Sequence, residues 1–355
     1  MRSRGNVSFL LIYLSLLLLV FGCSPSSQST TDPSSITTTP AAKVEEGEPY
    51  PNGPIEMIVG FGAGGGTDTM ARTIQPKFQE ILGVPVAVRN MPGASSALAI
   101  EHVQKQQADG QTILFQTDLI RVFPTMGMTD YTYKDFEQIG IGAMGIATFT
   151  VKKDSAIKTF SDLVTLLQTG KAKVGVAGIG DPWHLTLEIV KNTVGGKAEI
   201  ITYDSGKNAA MAALRNEVDF SISGVNEVVD LLRAGELRAL AVMDNKPFQV
   251  KGIGSIPPVT DFEGKLAAHV PEGTWWGPSV KAGTPQPIIN KLRDAYRRII
   301  QTEEFKKFAE ERAIVLITIE DPQEYTRKIT EKTSWLLWDI GVGKRSPEEV
   351  GILRP

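Results

Sequence analysis

Cysteine is almost missing from this chain. Cys23 is the only one in 355 residues, so the body beyond it has no disulfide and no thiol nucleophile. Histidine is nearly as scarce: His102, His184 and His269 lie far apart, without metal-ligand spacing. No Gly-x-Ser-x-Gly elbow and no histidine–glutamate zinc motif occurs. Charge of one sign is not concentrated anywhere. The net charge is −3 with Lys and Arg dispersed, which leaves no basic stripe for nucleic acid. Nor does the start of the chain hold an apolar run long enough to span a bilayer. Phe9 to Phe21, broken only by Ser15, falls short of the ~20 residues a spanning helix needs. These absences point away from a metal site, a cofactor and an enzyme's catalytic residues, and toward binding.

The short apolar run has a meaning of its own. Arg2 and Arg4 precede it and small residues follow it, the pattern of a secretory signal over 1–22. Cys23 directly after the run, in Val20-Phe21-Gly22-Cys23-Ser24, resembles a lipoprotein signal in which Cys23 becomes the lipidated first residue. Phe21 is bulkier than that pattern usually has. The alternative is an ordinary cleaved signal with an incidental cysteine. Residues 23–48 are rich in Ser, Thr and Pro and hold almost nothing apolar, so they read as a flexible tether. The expected address is outside the cytoplasm, anchored by lipid to the cell envelope, in the periplasm or on the outer face of the cytoplasmic membrane.

From Pro49 on, the chain alternates strand, loop and helix. Ile55 to Val59 is an apolar strand, followed by the glycine run Gly62-Ala63-Gly64-Gly65-Gly66-Thr67-Asp68 and a helix with Met70, Ile74, Phe78 and Leu82 on one face. Strands are expected at 84–88 and 112–115, and a β-rich stretch over 140–152 is apolar enough to cross between domains. A second set follows, with strands at 174–177, 198–202, 218–221 and 237–242 and helices between them. The tail returns to helices, one entered at Thr284-Pro285 and one at the Asp321-Pro322-Gln323-Glu324 cap. A body of about 300 residues is large for one core and suits two domains. The alternation implies parallel sheets with helices on both faces.

Three loops follow strands, where ligands collect in open parallel sheets. The first, Gly64-Gly65-Gly66-Thr67-Asp68, offers backbone N–H groups at the positive end of a helix. Thr67 stands where the dinucleotide fingerprint needs its third glycine, and no Lys follows as a phosphate loop requires. An anion site of N–H groups and the Thr67 hydroxyl remains, and it suits a carboxylate. Asp68 reads equally as a helix cap. The second loop, Gly178-Ile179-Gly180-Asp181-Pro182-Trp183-His184, lets backbone approach closely at its two glycines. His184 either donates to a carboxylate or packs in the core. The third and weakest is Tyr203-Asp204-Ser205-Gly206. Trp275, Trp276, Trp335 and Trp338 read as packing residues.

These motifs, in this order, resemble the substrate-binding proteins of tripartite tricarboxylate transporters, the Bug family. The resemblance rests on Tyr50-Pro51-x-x-Pro54-Ile55, Gly64-Gly65-Gly66-Thr67-Asp68-x-x-Ala71-Arg72, Asn90-x-Pro92-Gly93-Ala94 and Ala108-Asp109-Gly110-x-Thr112-Ile113-Leu114. It continues through Gly178-x-Gly180-x-x-x-His184-Leu185, Leu237 to Val242, Trp276-x-Pro278 and Ala282-Gly283-Thr284-Pro285. It implies a type II periplasmic-binding-protein-like α/β fold: two domains with parallel-rich sheets flanked by helices and a ligand cleft between them. The first domain is expected at 49–145 and 270–355, the second at 146–269. It further implies a small carboxylate ligand (di- or tricarboxylate, aromatic acid or amino acid) clasped by the first two loops, and a two-subunit membrane permease as partner. Ser95, where the family commonly continues with glycine, is a further candidate contact. The simplest expectation for the protein itself is a monomer. Asp181 and Asp204 depart from the family pattern by bringing negative charge toward the cleft. The other readings are an enzyme gripping a nucleotide or sugar phosphate by the glycine loop, and a binding adaptor for a surface sensor.

Overall fold

The computed structural model describes residues 49–355. The expected signal, Cys23 and the tether to residue 48 lie outside the described residues. The chain opens as β1 (Ile55–Val59), α1 (Gly66–Leu82), β2 (Val86–Asn90), α2 (Ala97–Gln104) and β3 (Thr112–Thr117). β1 lies between β2 and β3, parallel to both, with Met57 opposite Val88 on one side and Ile113 on the other. Successive residues of a strand face opposite sides, so β1 serves two layers. Ile55, Met57 and Val59 pack with Met70, Ile74 and Phe78 of α1, while Ile58 packs with Ala99, Ile100 and Val103 of α2.

After a short helix α3 (Phe123–Met126) and strand β4 (Phe136–Gln138), the long strand β5 (Ala143–Lys152) leads into the second lobe. There α4 (Phe160–Thr169), β6 (Ala172–Val176), α5 (Pro182–Val194), β7 (Ala198–Thr202) and α6 (Gly206–Leu214) repeat the alternation. They are followed by β8 (Phe220–Gly224), α7 (Val225–Arg233) and β9 (Leu237–Val242). β6 runs parallel to β7 and β8, and β8 and β9 run antiparallel to β5. A hairpin of β10 (Phe248–Val250) and β11 (Gly254–Ile256) precedes the return. The chain comes back on β12 (Gly273–Lys281), antiparallel to β3 and β5. It finishes with α8 (Gln286–Ile300), α9 (Glu303–Glu311), β13 (Val315–Leu316) and α10 (Pro322–Asp339). Ile289, Leu292, Tyr296 and Ile299 of α8 complete the first lobe's core against α1. Asp321 caps α10 by accepting from Glu324 N at 2.9 Å.

β5 belongs to both sheets. Its residues Ala143 to Ile146 pair with β12, and those from Ala147 on pair with β8 and β9. Glu272 runs beside this change-over: its carbonyl accepts from Ala147 N at 3.2 Å, and its own N–H donates to Met243 O at 2.9 Å. Two antiparallel segments thus cross between lobes side by side. A buried charge cluster sits against them. Arg121 lies 2.6 Å from Asp118 Oδ2 and 2.6 Å from Glu272 Oε1, and Asp118 Oδ1 accepts from Thr274 Oγ1 at 2.8 Å. Burial pushes the Asp118 carboxyl up to about 6 although Arg121 pulls it down, and the Glu272 charge adds to the rise.

Candidate ligand cleft

The loops that follow β1, β6 and β7 meet between the lobes around a small cavity of about 30 Å³. The first lobe lines it with Gly65, Gly66, Thr67, Thr117, Thr274 and Trp276, and the second with Asp181, Trp183, Ser205, Gly206 and Glu227. A buried water needs roughly 10–15 Å³ on this measure, so the cavity as closed has room for about two. A larger cavity of about 460 Å³ lies under α8, between Arg293, Tyr296 and the 316–320 segment, and none of the sequence-predicted site residues borders it.

The glycine loop is braced from within. Asp68 accepts from Gly64 N at 2.8 Å on one oxygen, and from Arg72 Nε at 2.9 Å and Asn90 Nδ2 at 2.8 Å on the other. Burial alone would raise its pKa. The Gly64 amide, Arg72 and Asn90 together outweigh it and hold the carboxyl below its usual range. Asp68 therefore ties the loop to α1 and β2 and does not line the cavity. Gly64 takes φ of +79°, open to glycine at no steric cost, while Gly66 has only 3.2 Å to Asn226 and 3.3 Å to Trp276 at the place of a Cβ. Thr67 does face the cavity. Its Oγ1 accepts from Trp276 Nε1 at 3.2 Å, which leaves the hydroxyl hydrogen to donate.

In the second loop, Asp181 caps α5: Oδ1 accepts from His184 N at 2.7 Å. Its Oδ2 makes no hydrogen bond, although the residue is 1% exposed and lines the cavity. Burial drives this carboxyl well above the usual range. The amides of His184, Ala177 and Trp183 oppose the rise and the Glu227 charge adds to it. His184 is buried and engaged elsewhere, with Nδ1 accepting from Gly180 N at 3.1 Å and Nε2 3.4 Å from Glu188. Gly178 and Gly180 do not border the cavity. Gly178 instead makes room for Ser95, whose Oγ donates to Ile179 O at 3.0 Å across the lobes. Of the third loop, Ser205 and Gly206 line the cavity, Asp204 accepts from Asn208, and Tyr203 stands apart.

Glu227 is the residue that the sequence reading missed. It lies in the first turn of α7, and its Oε2 accepts from Gly224 N at 3.0 Å. Burial raises its pKa, while the amides of Gly224, Gly66, Gly206 and Lys207 all favour its ionised form. A Cβ on residue 206 would come within 2.2 Å of Oε2. The protein's own carboxylate thus lies among amides from both lobes. The spacing Gly224-x-x-Glu227 signals an ordinary helix cap. Nothing local announces that Gly66 and Gly206 converge on the same atoms.

A family model described as the tripartite tricarboxylate transporter family receptor, TctC, matches residues 70–335. Protein BugT of Bordetella pertussis is 30% identical over 217 residues, 59% of this chain and 66% of BugT. The structure of a TctC solute-binding protein from Polaromonas aligns over 82% of this chain and all of its own, with 27% identity and a TM-score of 0.62. MatC from Rhodopseudomonas palustris, solved with bound malate, aligns over 82% of this chain and 99% of its own, with 20% identity and a TM-score of 0.74. The fold is shared with both of these solved structures.

Proposed function

The chain belongs to the tripartite tricarboxylate transporter receptor family, and on that premise we propose that it is an exported, lipid-anchored receptor which delivers a small carboxylate to a two-subunit membrane permease and catalyses no reaction. The observation that carries the ligand class is the meeting of the glycine loop with the second-lobe loops around one cavity, where helix starts, the Thr67 hydroxyl and Ser205 converge. Malate in MatC supports a ligand of that size and kind. In this reading Gly65, Gly66, Thr67, Asp181, Ser205 and Gly206 face ligand. Gly64, Asp68, Ser95, Gly178, Gly180, His184, Tyr203 and Asp204 shape the loops that hold it.

The cavity admits no such ligand while closed, so the lobes part at the β5 crossing and close again on the bound acid. The lobes correspond to 49–145 with 270–355 and to 146–269. Among the described residues no helix is long and apolar enough to cross a membrane. Attachment then rests on Cys23, supported by its place behind the apolar run. A monomer is the form that docks on the permease.

Calorimetric titration and thermal-shift measurement with a panel of mono-, di- and amino-carboxylates test the ligand class. At least one should bind more tightly than about 10 μM, near 7 kcal/mol. A panel without heat or thermal shift rejects the reading. Cys23→Ala should move the protein from the membrane fraction to the soluble one and abolish labelling by a radioactive fatty acid. Unchanged membrane association rejects the anchor.

A further inference from the structure

The cavity between the lobes is lined by two carboxylates, Asp181 and Glu227, and by no Lys, Arg or His. Their amide partners are already engaged: His184 N donates to Asp181, and Gly224 N to Glu227. Two further polar atoms on the cavity wall make no hydrogen bond. One is Asp181 Oδ2; the other is Thr117 Oγ1, on a residue only 5% exposed. A buried acceptor left unpaired in this way is costly until something donates to it. A dianion entering the cavity would meet two acidic side chains and no cation to balance it. A cationic group would meet complementary charge and a vacant acceptor.

We propose that Asp181 and Glu227 form an ammonium subsite, so that the ligand is an acid that also carries an amino group. The ammonium donates to the unpaired Asp181 Oδ2 and lies beside the Glu227 carboxylate, both on the second lobe. The ligand's carboxylate then lies toward the hydroxyls of Thr67 and Thr117, on the opposite wall contributed by the first lobe. This assignment rests on the carboxylate-receptor reading above and narrows it from plain diacids to zwitterions.

The test compares acids of equal spacer length in which one carboxylate is exchanged for an amine. The probes are malonate with glycine, succinate with β-alanine, and glutarate with 4-aminobutanoate, with 1,3-diaminopropane as the pure dication, each titrated calorimetrically into the full mature protein. At one spacer length or more, the amino acid should bind about tenfold or more tightly than its diacid. Asp181→Asn and Glu227→Gln should each remove most of that preference. Asparagine retains the helix cap, so the first variant is expected to fold, and thermal melts of both check it. Glu80→Gln, exposed on α1 and away from the cavity, should leave the preference intact. Diacids binding more tightly at every spacer length would overturn the ammonium subsite and leave the carboxylate receptor standing. Binding of the dication alone would keep the subsite and overturn the carboxylate. A preference that survives both acid-to-amide exchanges also overturns the assignment.

Discussion

Trp276 donates its indole N–H to the hydroxyl of Thr67 at 3.2 Å, joining β12 to the first turn of α1 across 209 positions of sequence. The bond fixes which way Thr67 points. An oxygen that accepts from the indole keeps its hydrogen for the cavity, so the strand that completes the first sheet also orients a cavity-facing donor.

Thr67→Ala should therefore weaken ligand binding by about 0.5–1.5 kcal/mol, roughly 2- to 12-fold in Kd. Thr67→Ser should retain most of the affinity. Trp276→Phe should show a smaller loss in affinity with a lower Tm, because the ring fills the core and only its N–H is lost. Equal affinity for Thr67→Ala and the parent in calorimetric titration would remove this hydroxyl from the site.

Asp68 ties Gly64, Arg72 and Asn90 together, and its pKa in the folded protein is below the unfolded value. Such a group stabilises the fold above the unfolded pKa, and that contribution is lost as pH falls through the folded one. Asp68→Asn should cost about 1.5–3 kcal/mol near neutral pH, a Tm lower by about 3–10 °C. The gap between variant and parent should shrink as pH falls below about 4. A gap that stays constant down to acid pH would contradict this account.

The Asp118–Arg121–Glu272 cluster behaves with the opposite sign. Asp118 holds its proton up to about 6 in the folded state, whereas an unfolded aspartate releases it near 3.9. Its contribution to stability therefore declines as pH rises from about 4 to about 6. Asp118→Asn should flatten that part of the Tm–pH profile. Arg121→Met should cost about 3–5 kcal/mol near neutral pH, since it leaves Asp118 and Glu272 buried without their cation. Thermal melts across pH read both outcomes.

At the crossing itself, Gly273 pairs with Ile146, and a Cβ on residue 273 would fall 2.0 Å from the Gly145 carbonyl oxygen. Backbone cannot yield there as a flexible side chain would. Gly273→Ala should cost about 1–3 kcal/mol and force β12 away from β5. Amide hydrogen exchange should then quicken at Ile146 and Ala147 in particular. Exchange that is unaltered at those two residues would show that the strands absorb the methyl elsewhere.

Much of the architecture is legible in the sequence because its signals are local. The strands at Ile55–Val59, Ala198–Thr202 and Leu237–Val242 lie where hydropathy and flanking turns put them. β2 is offset by two residues from the expected 84–88, because Arg89 and Asn90 continue the pairing with β1 despite their polarity. α1 begins at Gly66, before the apolar period at Met70, since Thr67 and Asp68 serve the loop and not the core face. β12 escapes the pattern altogether. It is buried along most of its length and holds Gly277 and Pro278, so it shows neither alternation nor strand propensity.

The site divides along the same line. The glycine loop and the Asp181 loop are contiguous and can be read directly. That Asp68 faces its own loop, that His184 faces Gly180 and Glu188, and that Glu227 lies among amides from three elements are matters of convergence. Residues that are far apart in sequence and of unremarkable type carry no mark of where they meet.

The paired crossing of β5 with the Glu272 segment has a mechanical consequence. Two hydrogen-bonded strands make a ribbon, stiff within its own plane and compliant across it. A hinge of that section would have one easy axis, and the closure proposed above would follow it. Occupancy of the cleft would thereby be converted into one angle, and an angle is something a docking partner could sense from outside without touching the solute.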